Sequence, residues 1–176
     1  EGVSRWCAEQ QRPKPRMLGV ELSRTRSAAA AAKFAKSRSI SIVSEDFLLP
    51  SDRSFDFVIG NPPYVSIGGL SEAAKARYRD SYKTARGRFD LYLLFFEQAL
   101  RLLKPGGRLV FITPEKFLYV NAAAEFRRML SKLDVREIRL VSEATFEGRV
   151  TYPAITVIDT RTSGRTSAAS SPSLST

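Results

Sequence analysis

The sequence contains no histidine and a single cysteine, Cys7, among its 176 residues. One cysteine cannot form a disulfide within the chain, and a reducing compartment fits this cysteine usage. Without histidine the chain offers neither a Cys/His zinc site nor an imidazole base. We therefore expect no metal centre and a reaction that proceeds without histidine.

Long apolar runs are also missing from the sequence. No stretch approaches the roughly 18 residues that a membrane-spanning helix needs, so no membrane partner is expected. The first residues, Glu1-Gly2-Val3-Ser4, have no signal-peptide pattern and no initiating methionine. We expect residues before Glu1 in the natural protein.

Positive charge dominates the composition. Lysine and arginine number 28 against 18 aspartate and glutamate residues, which gives a net charge of +10. Such a balance favours a polyanionic partner such as nucleic acid, although many basic proteins are simply soluble with this charge.

The order of apolar patterns predicts an α/β fold. Short β-branched or aromatic runs alternate with segments of helical period, as in βαβ units with a parallel sheet. The predicted strands are Met17 to Leu22, Ile40 to Asp46, Phe55 to Ile59, Arg108 to Thr113, Val135 to Val141 and Ala154 to Asp159. The predicted helices are Ser23 to Lys36, Ser71 to Thr84, Asp90 to Leu103 and Val120 to Leu133.

Two further segments complete the predicted organisation. Lys104-Pro105-Gly106-Gly107 is predicted to end a helix and to return the chain directly into a strand. Residues 161–176 hold nine serine or threonine residues and only one large apolar residue, so a disordered tail is expected there. Residues 1–160 are predicted to form one catalytic domain.

The clearest local signal is Asn61-Pro62-Pro63-Tyr64, which follows the apolar run Phe55 to Gly60. Ligands of open α/β sheets bind beyond the carboxyl ends of the strands, where this turn is expected. The two prolines fix the backbone and remove two N–H donors, so the loop is stiff and rich in acceptors. The alternative is an ordinary turn, because all these residue types favour turns.

An acceptor-rich loop suits the amino nitrogen of adenine. Its lone pair is delocalised into the ring, which makes the nitrogen a poor nucleophile. If the Asn61 side-chain oxygen and the Pro62 carbonyl accept its two hydrogens, the lone pair is freed to attack a methyl sulfonium. Tyr64 would stack on the base, a contact worth about 1 to 3 kcal/mol.

Six ordered blocks between Met17 and Asp159 resemble the adenine-N6 DNA methyltransferases of restriction-modification systems. The blocks are Gly19 to Leu22, Glu45 to Leu48, Asn61 to Tyr64, Gly87 to Tyr92, Leu103 to Gly107 with Phe111 to Pro114, and Phe146 to Gly148. The resemblance implies a Rossmann-like class I S-adenosylmethionine-dependent methyltransferase sheet, mostly parallel with a C-terminal antiparallel strand. It also implies a cytoplasmic, bacterial or archaeal enzyme.

The same resemblance implies roles for individual residues. Glu21, beside Leu22, would accept the ribose hydroxyls of S-adenosylmethionine, and Asp46 would accept the amino group of its adenine while Phe47 lies against that ring. Asn61 would border the cofactor as well as the target base. Phe146 would form a second wall, opposite Tyr64, of the slot for an extruded base. A solvated Glu21 and core positions for Phe47 and Phe146 are the alternatives.

A basic segment follows the proline loop. Its cations are expected to contact DNA phosphates, with Tyr78 and Tyr82 interleaved, although a solvated helix face would have the same pattern. They are Lys75, Arg77, Arg79, Lys83, Arg86 and Arg88. The helix from Asp90 to Leu103, apolar nearly all round, is expected to lie in the core without a chemical role.

The family pattern is incomplete in this sequence. The glycine-rich loop after the first strand has no counterpart, so the central strand of the sheet is expected to be missing and two neighbouring strand edges to be left unpaired. A target-recognition domain is also absent, which suggests a separate domain or subunit beside double-stranded DNA as partners.

Three alternatives stay open at the level of sequence. The same loop serves methyltransferases that act on adenine in RNA or on a protein glutamine. A third reading is a non-catalytic or split nucleic-acid-binding fragment.

Overall fold

A computed structural model describes residues 2–141 and 152–160. The chain divides into two compact units, Glu1–Leu49 and Pro50–Thr176. Phe146 and residues 161–176 lie outside the described residues, so the expectations for them remain predictions.

The first unit is a small βαβ arrangement preceded by a helix. Helix α1 is Gly2–Glu9, strand β1 Met17–Glu21, helix α2 Arg24–Lys33 and strand β2 Ile40–Ser44. β1 and β2 are parallel, with Met17 opposite Ile40 and Glu21 opposite Ser44. Ser23 caps α2 by accepting a hydrogen bond from the Arg26 backbone nitrogen at 3.3 Å, which satisfies one of the free donors of the first turn.

The second unit contains a four-stranded sheet. Its elements are β3 Phe55–Gly60, α3 Glu72–Ser81, α4 Leu91–Arg101, β4 Leu103–Pro114, α5 Ala124–Leu130, β5 Asp134–Leu140 and β6 Pro153–Asp159. The strand order is β3-β4-β6-β5. β3 and β4 are parallel, whereas β6 runs antiparallel to both β4 and β5.

The predicted α/β class and its C-terminal antiparallel strand are therefore confirmed. All six predicted strands are present with small differences at their ends. Within the described residues β1 pairs only with β2, and β3 only with β4, so each keeps one edge without a strand partner, as expected. No helix in the described part of the chain is long and apolar enough to cross a membrane.

The core of the second unit forms around α4. Eight of its eleven residues are buried, which confirms that this helix belongs to the core. The ring centroid of Phe96 lies 4.6 Å from that of Phe126 and 5.1 Å from that of Phe111. These contacts hold α4 and α5 against β4, whose carboxyl end lies next to the candidate site.

The structure of the segment from Lys104 to Gly107 differs from its prediction. β4 begins at Leu103, so the segment from Lys104 to Gly107 is an irregular part of the strand and does not precede it. Leu103 lies opposite Phe55 and Arg108 lies opposite Phe57. The β4 segment from Lys104 to Gly107 therefore bulges out opposite the single β3 residue Asp56. Gly106 supplies a φ of 81° for this bulge.

Candidate active site

The proline loop leaves the sheet at the carboxyl end of β3, as predicted. Pro62 is buried and anchors the loop, whereas Asn61, Pro63 and Tyr64 are exposed. The structure records no hydrogen bond of the Asn61 side chain within the described residues. Gly60 allows the turn to start close to β4, because a Cβ atom there would lie 3.1 Å from the Phe111 ring.

Tyr64 is held at one end only. Its phenol donates a long hydrogen bond of 3.4 Å to the Ile112 carbonyl of β4, and partial burial raises the pKa of the phenol. The side chain is nevertheless 44% exposed, so part of its ring is available to a planar partner.

The block that contains Phe89 is attached to the proline loop. The Leu91 nitrogen donates to the Val65 carbonyl at 2.8 Å, and the Ile67 nitrogen donates to the Phe89 carbonyl at 3.0 Å. Phe89 is fully buried, so it fixes this short pairing to the core. The Gly87 to Tyr92 block is therefore paired with the residues that directly follow the Asn61 to Tyr64 block.

A cavity of about 240 Å³ borders this pairing. It is lined by Ser66, Ile67, Arg88, Asp90, Lys116, Val120 and Ala122. The Lys116 ammonium lies 2.7 Å from the Asp90 carboxylate. Asp90 and Lys116 were not among the predicted site residues, and their separation by 26 positions gives no local signal of the pair.

Tyr92 is the last residue of the same block. Its hydroxyl is buried and has no hydrogen-bond partner in the described structure. Burial raises the pKa of Tyr92, and the negative charge of Asp90 raises this pKa further. The phenol is therefore neutral at physiological pH, and we assign it no acid–base role.

Glu21 ends β1 in the first unit and is ionised. Its Oε1 atom accepts hydrogen bonds from Arg26 Nη2 at 2.9 Å and from the Ser23 nitrogen at 2.7 Å. The Arg26 bond first, and the Ser23 bond second, hold the pKa of this carboxyl below its usual value. Both contacts involve Oε1, and a backbone hydrogen bond from Leu22 to the same carboxyl lowers its pKa further.

Asp46 and Phe47 follow β2 at the same edge of the two-stranded sheet. Asp46 Oδ1 accepts a hydrogen bond from the Leu48 nitrogen at 2.9 Å, which shapes a tight turn. Glu21 lies opposite Ser44, so Glu21 and the Asp46 turn follow the carboxyl ends of adjacent parallel strands. Asp46 and Phe47 are half-buried, whereas Leu22 is exposed and has no clear place in a pocket.

The structure divides the basic segment into two parts. Lys75, Arg77 and Arg79 lie on α3, whereas Lys83, Arg86 and Arg88 lie in the loop before α4. Lys75 pairs with Glu72 at 2.6 Å, and the Arg77 guanidinium lies 5.1 Å from the Tyr78 ring centroid. The expected interleaving with aromatic side chains is not a surface feature, because Tyr78 and Tyr82 are buried.

The fold defines the class of protein. A Listeria monocytogenes protein assigned to the class I S-adenosylmethionine-dependent methyltransferases matches with a TM-score of 0.74 and 18% identity, covering 90% of this chain and 48% of that one. The M protein of the type I restriction enzyme EcoKI matches with a TM-score of 0.58 and 17% identity, covering 81% and 30%. The chain therefore has the class I methyltransferase fold.

The chain belongs to the Eco57I restriction-modification methylase family, whose model matches residues 14–146. The Type II methyltransferase M.XhoI of Xanthomonas vasicola is 42% identical over 122 residues, which are 67% of this chain and 22% of that protein. M.PaeR7I of Pseudomonas aeruginosa is 35% identical over 133 residues, 73% of this chain and 23% of that protein. The recognition from sequence is thus confirmed at the level of the family.

The chain covers only part of the curated relatives that it resembles. It spans 11% of the Type II restriction enzyme and methyltransferase RM.Eco57I of Escherichia coli and 34% of the modification methylase CviBIII. Activity, substrate and partners of the whole protein are therefore matters for proposal.

Proposed function

We propose that this chain is part of an enzyme that transfers a methyl group from S-adenosylmethionine to the N6 amino group of adenine in DNA. The observation that carries the proposal is the Asn61 amide, exposed and without a hydrogen-bond partner among the described residues, at the carboxyl end of β3. Membership of a restriction-modification methylase family supports DNA as the substrate and a cytoplasmic location.

Asn61 and Pro62 would act on the target nitrogen. Their oxygens accept the two amino hydrogens, which concentrates the lone pair on the nitrogen and directs it at the methyl carbon. When bound, S-adenosylmethionine would supply an electrophilic methyl group, whose carbon–sulfur bond would break as the carbon–nitrogen bond forms. The target nitrogen would then lose one proton to solvent.

Base extrusion would bring the adenine to this loop. The amino nitrogen cannot be reached inside a duplex, and extrusion costs a few kcal/mol that stacking must offset. The partly exposed Tyr64 ring offers such a stack. Phe146 remains a candidate for the opposite wall.

The first unit fits the cofactor. An ionised Glu21 at the carboxyl end of β1 suits a ribose diol, which needs a strong acceptor. Asp46 and Phe47, half-buried at the same sheet edge, suit the adenine amino group and ring. The loop cations Lys83, Arg86 and Arg88 suit phosphates beside the target, and a separate target-recognition domain or subunit would supply sequence specificity.

Radiolabelled transfer tests the proposal. The whole natural reading frame that encodes this chain is incubated with tritiated S-adenosylmethionine and duplex DNA, RNA or release-factor protein. We expect label in DNA, and nucleoside analysis should identify N6-methyladenine. Label confined to RNA or protein, or DNA labelled only as N4-methylcytosine, would overturn the proposal.

A further inference from the structure

A second concave surface lies in the first unit, at the ends of β1 and β2 opposite those that carry Glu21 and Asp46. It is a cleft of about 510 Å³ that we name the basic cleft, lined by Lys14, Arg16, Lys36, Ser37, Arg38 and Ser39. Four of its six lining residues are cations, and none is acidic. Its walls come from the two segments that precede β1 and β2.

The backbone builds this cleft and holds its two walls together. The Met17 nitrogen donates a hydrogen bond of 2.7 Å to the Ser39 carbonyl, directly where β1 and β2 begin. The Ser37 and Ser39 hydroxyl oxygens lie 3.3 Å apart, so one donates to the other. Arg16 and Arg38 each stand next to this joint in the sequence and approach the cleft from opposite walls.

The cations of the cleft lie close together without an acidic residue in its lining. Elsewhere many cations pair with acids, including Arg26 with Glu21, Lys104 with Asp56 and Lys116 with Asp90. Lys14, Arg16, Lys36 and Arg38 form no ion pair with any described residue. Four unneutralised charges around one hollow repel each other, and an anion bound between them would relieve that repulsion.

The cleft is separate from the candidate active site residues of its own unit. Glu21 and Asp46 follow the carboxyl ends of β1 and β2, whereas the cleft lies at the amino ends. Four residue steps along β1 separate Met17 from Glu21, or about 13 Å at 3.3 Å per residue. An anion in the cleft would therefore lie at the opposite end of these strands from the acids proposed to hold the cofactor.

We propose that the basic cleft binds phosphates of a nucleic-acid backbone at a contact distinct from the one that holds the target base. Guanidinium groups match phosphate oxygens with paired donors, and serine hydroxyls add neutral donors. The cleft itself follows from the structure alone. The choice of nucleic acid as its occupant rests on the proposed function.

Salt-dependent binding tests the inference. The 176-residue chain is titrated with fluorescent duplex DNA of random sequence between 50 and 200 mM KCl, without a methyl donor. The variant Arg16→Gln/Arg38→Gln removes two charges from the cleft. If each arginine contacts one phosphate, the slope of log K against log[salt] becomes shallower by about 1.8. Over this range the unmodified chain would then lose roughly tenfold more affinity than the variant.

A matched control separates the cleft from overall charge. Arg5→Gln/Arg12→Gln removes the same two charges from exposed positions of the same unit. We expect its slope to stay close to that of the unmodified chain. Circular dichroism checks that both variants keep their secondary structure.

Three outcomes would overturn the inference. The slope of the cleft variant could equal that of the unmodified chain, or the slope of the control could change as much as that of the cleft variant. The cleft variant could also lose as much affinity for poly-L-glutamate as it loses for DNA. Because no methyl donor is present, these results are independent of transfer activity. If the transfer experiment yields methylated DNA but the cleft variant keeps the slope of the unmodified chain, phosphate binding by the cleft is contradicted and the proposed reaction is not. If the cleft variant has a shallower slope but the transfer experiment yields no methylated DNA, the proposed reaction is contradicted and phosphate binding by the cleft is not.

Discussion

Asn61 illustrates how much depends on one side chain at the end of a strand. The buried Pro62 fixes the backbone beside it, and the amide itself is exposed. A backbone held this way needs little reorganisation when charge develops on the target nitrogen, which is the condition for effective electrostatic catalysis. The role proposed for Asn61 belongs to the transition state and contributes little to cofactor binding.

We expect Asn61→Ala to lower the rate of methyl transfer by about 100-fold or more, the usual effect of losing one preorganised polar group. Cofactor affinity should stay within severalfold, because the lost interaction acts on the base. Single-turnover transfer and equilibrium dialysis of the cofactor measure the two quantities.

The chain offers a matched control in Asn121, its only other asparagine, which is exposed in a short helical turn. Asn121→Ala should leave both quantities unchanged. A loss of cofactor affinity in Asn61→Ala as large as the loss of rate would assign Asn61 to the cofactor pocket.

Single residues also mark the limit of sequence analysis. The position of Asn61 to Tyr64 was predictable, because an apolar run followed by two prolines indicates a strand and its turn. Tyr78 and Tyr82 were expected among DNA-binding cations, yet both are buried, with ring centroids 6.3 Å apart. The Tyr82 hydroxyl donates to Gln98 Oε1 of α4 at 3.2 Å. Such tertiary contacts leave no local pattern in the sequence.

Helices and strands were predicted well, because each carries its own period of apolar residues. The ends were predicted less well: the predicted helix from Val120 to Leu133 is a short helical turn, Asn121–Ala123, followed by α5. The irregular start of β4 depends on pairing with β3. Neither feature is encoded within one element.

The loop between α3 and α4 depends on a buried carboxylate of α4. Glu97 is 3% exposed, and its oxygens accept hydrogen bonds from the Lys83 nitrogen at 3.1 Å and from the Thr84 nitrogen and hydroxyl, each at 2.9 Å. Arg101 supplies the opposite charge one turn away. This network fixes the segment that carries Lys83, Arg86 and Arg88.

We expect Glu97→Gln to destabilise the fold by about 2 to 4 kcal/mol, because hydrogen bonds to charged groups contribute about 1.5 to 3 kcal/mol each and the amide cannot replace them all. Urea unfolding measures the change. Glu125→Gln serves as the control, since Glu125 pairs with Arg128 at the surface and such pairs contribute about 0 to 1 kcal/mol. Equal effects of the two substitutions would refute a special role for Glu97.

At the scale of the whole molecule, the absence of histidine determines how the protein responds to pH. No side chain has an ordinary pKa between about 5 and 8 when histidine is missing. The described structure also contains carboxylates whose pKa lies below the ordinary value, including those of Glu21 and Asp159. The stability of the fold should therefore be level across neutral pH and fall in acid.

Asp159 is a carboxylate that links three strands of the second unit. It lies on β6 and is 5% exposed. Arg108 of β4 donates to its two oxygens at 2.6 and 2.9 Å, and Arg136 of β5 donates at 3.0 Å. The Arg108 hydrogen bonds are the main cause of the lowered pKa of Asp159, and burial opposes them.

The sign of the pH dependence follows from that direction. Because the folded pKa lies below the unfolded value of about 3.9, the stabilisation is fully present above pH 3.9 and is lost as pH falls through the folded pKa. Asp159→Asn should lower the free energy of unfolding at pH 7 by about 1.5 to 3 kcal/mol, the usual contribution of a charge-assisted hydrogen bond. The difference from the unmodified chain should shrink as pH approaches 2.

Urea unfolding at pH 7 and at pH 2.5 measures the loss of stability in Asp159→Asn at each pH. Asp56→Asn is the matched control, because Asp56 pairs with Lys104 on the adjacent strand but is 69% exposed, where ion pairs contribute little. We expect the control to change stability by less than about 1 kcal/mol at either pH. If the deficit of Asp159→Asn is as large at pH 2.5 as at pH 7, the loss is one of packing and the carboxylate charge does not hold these three strands together.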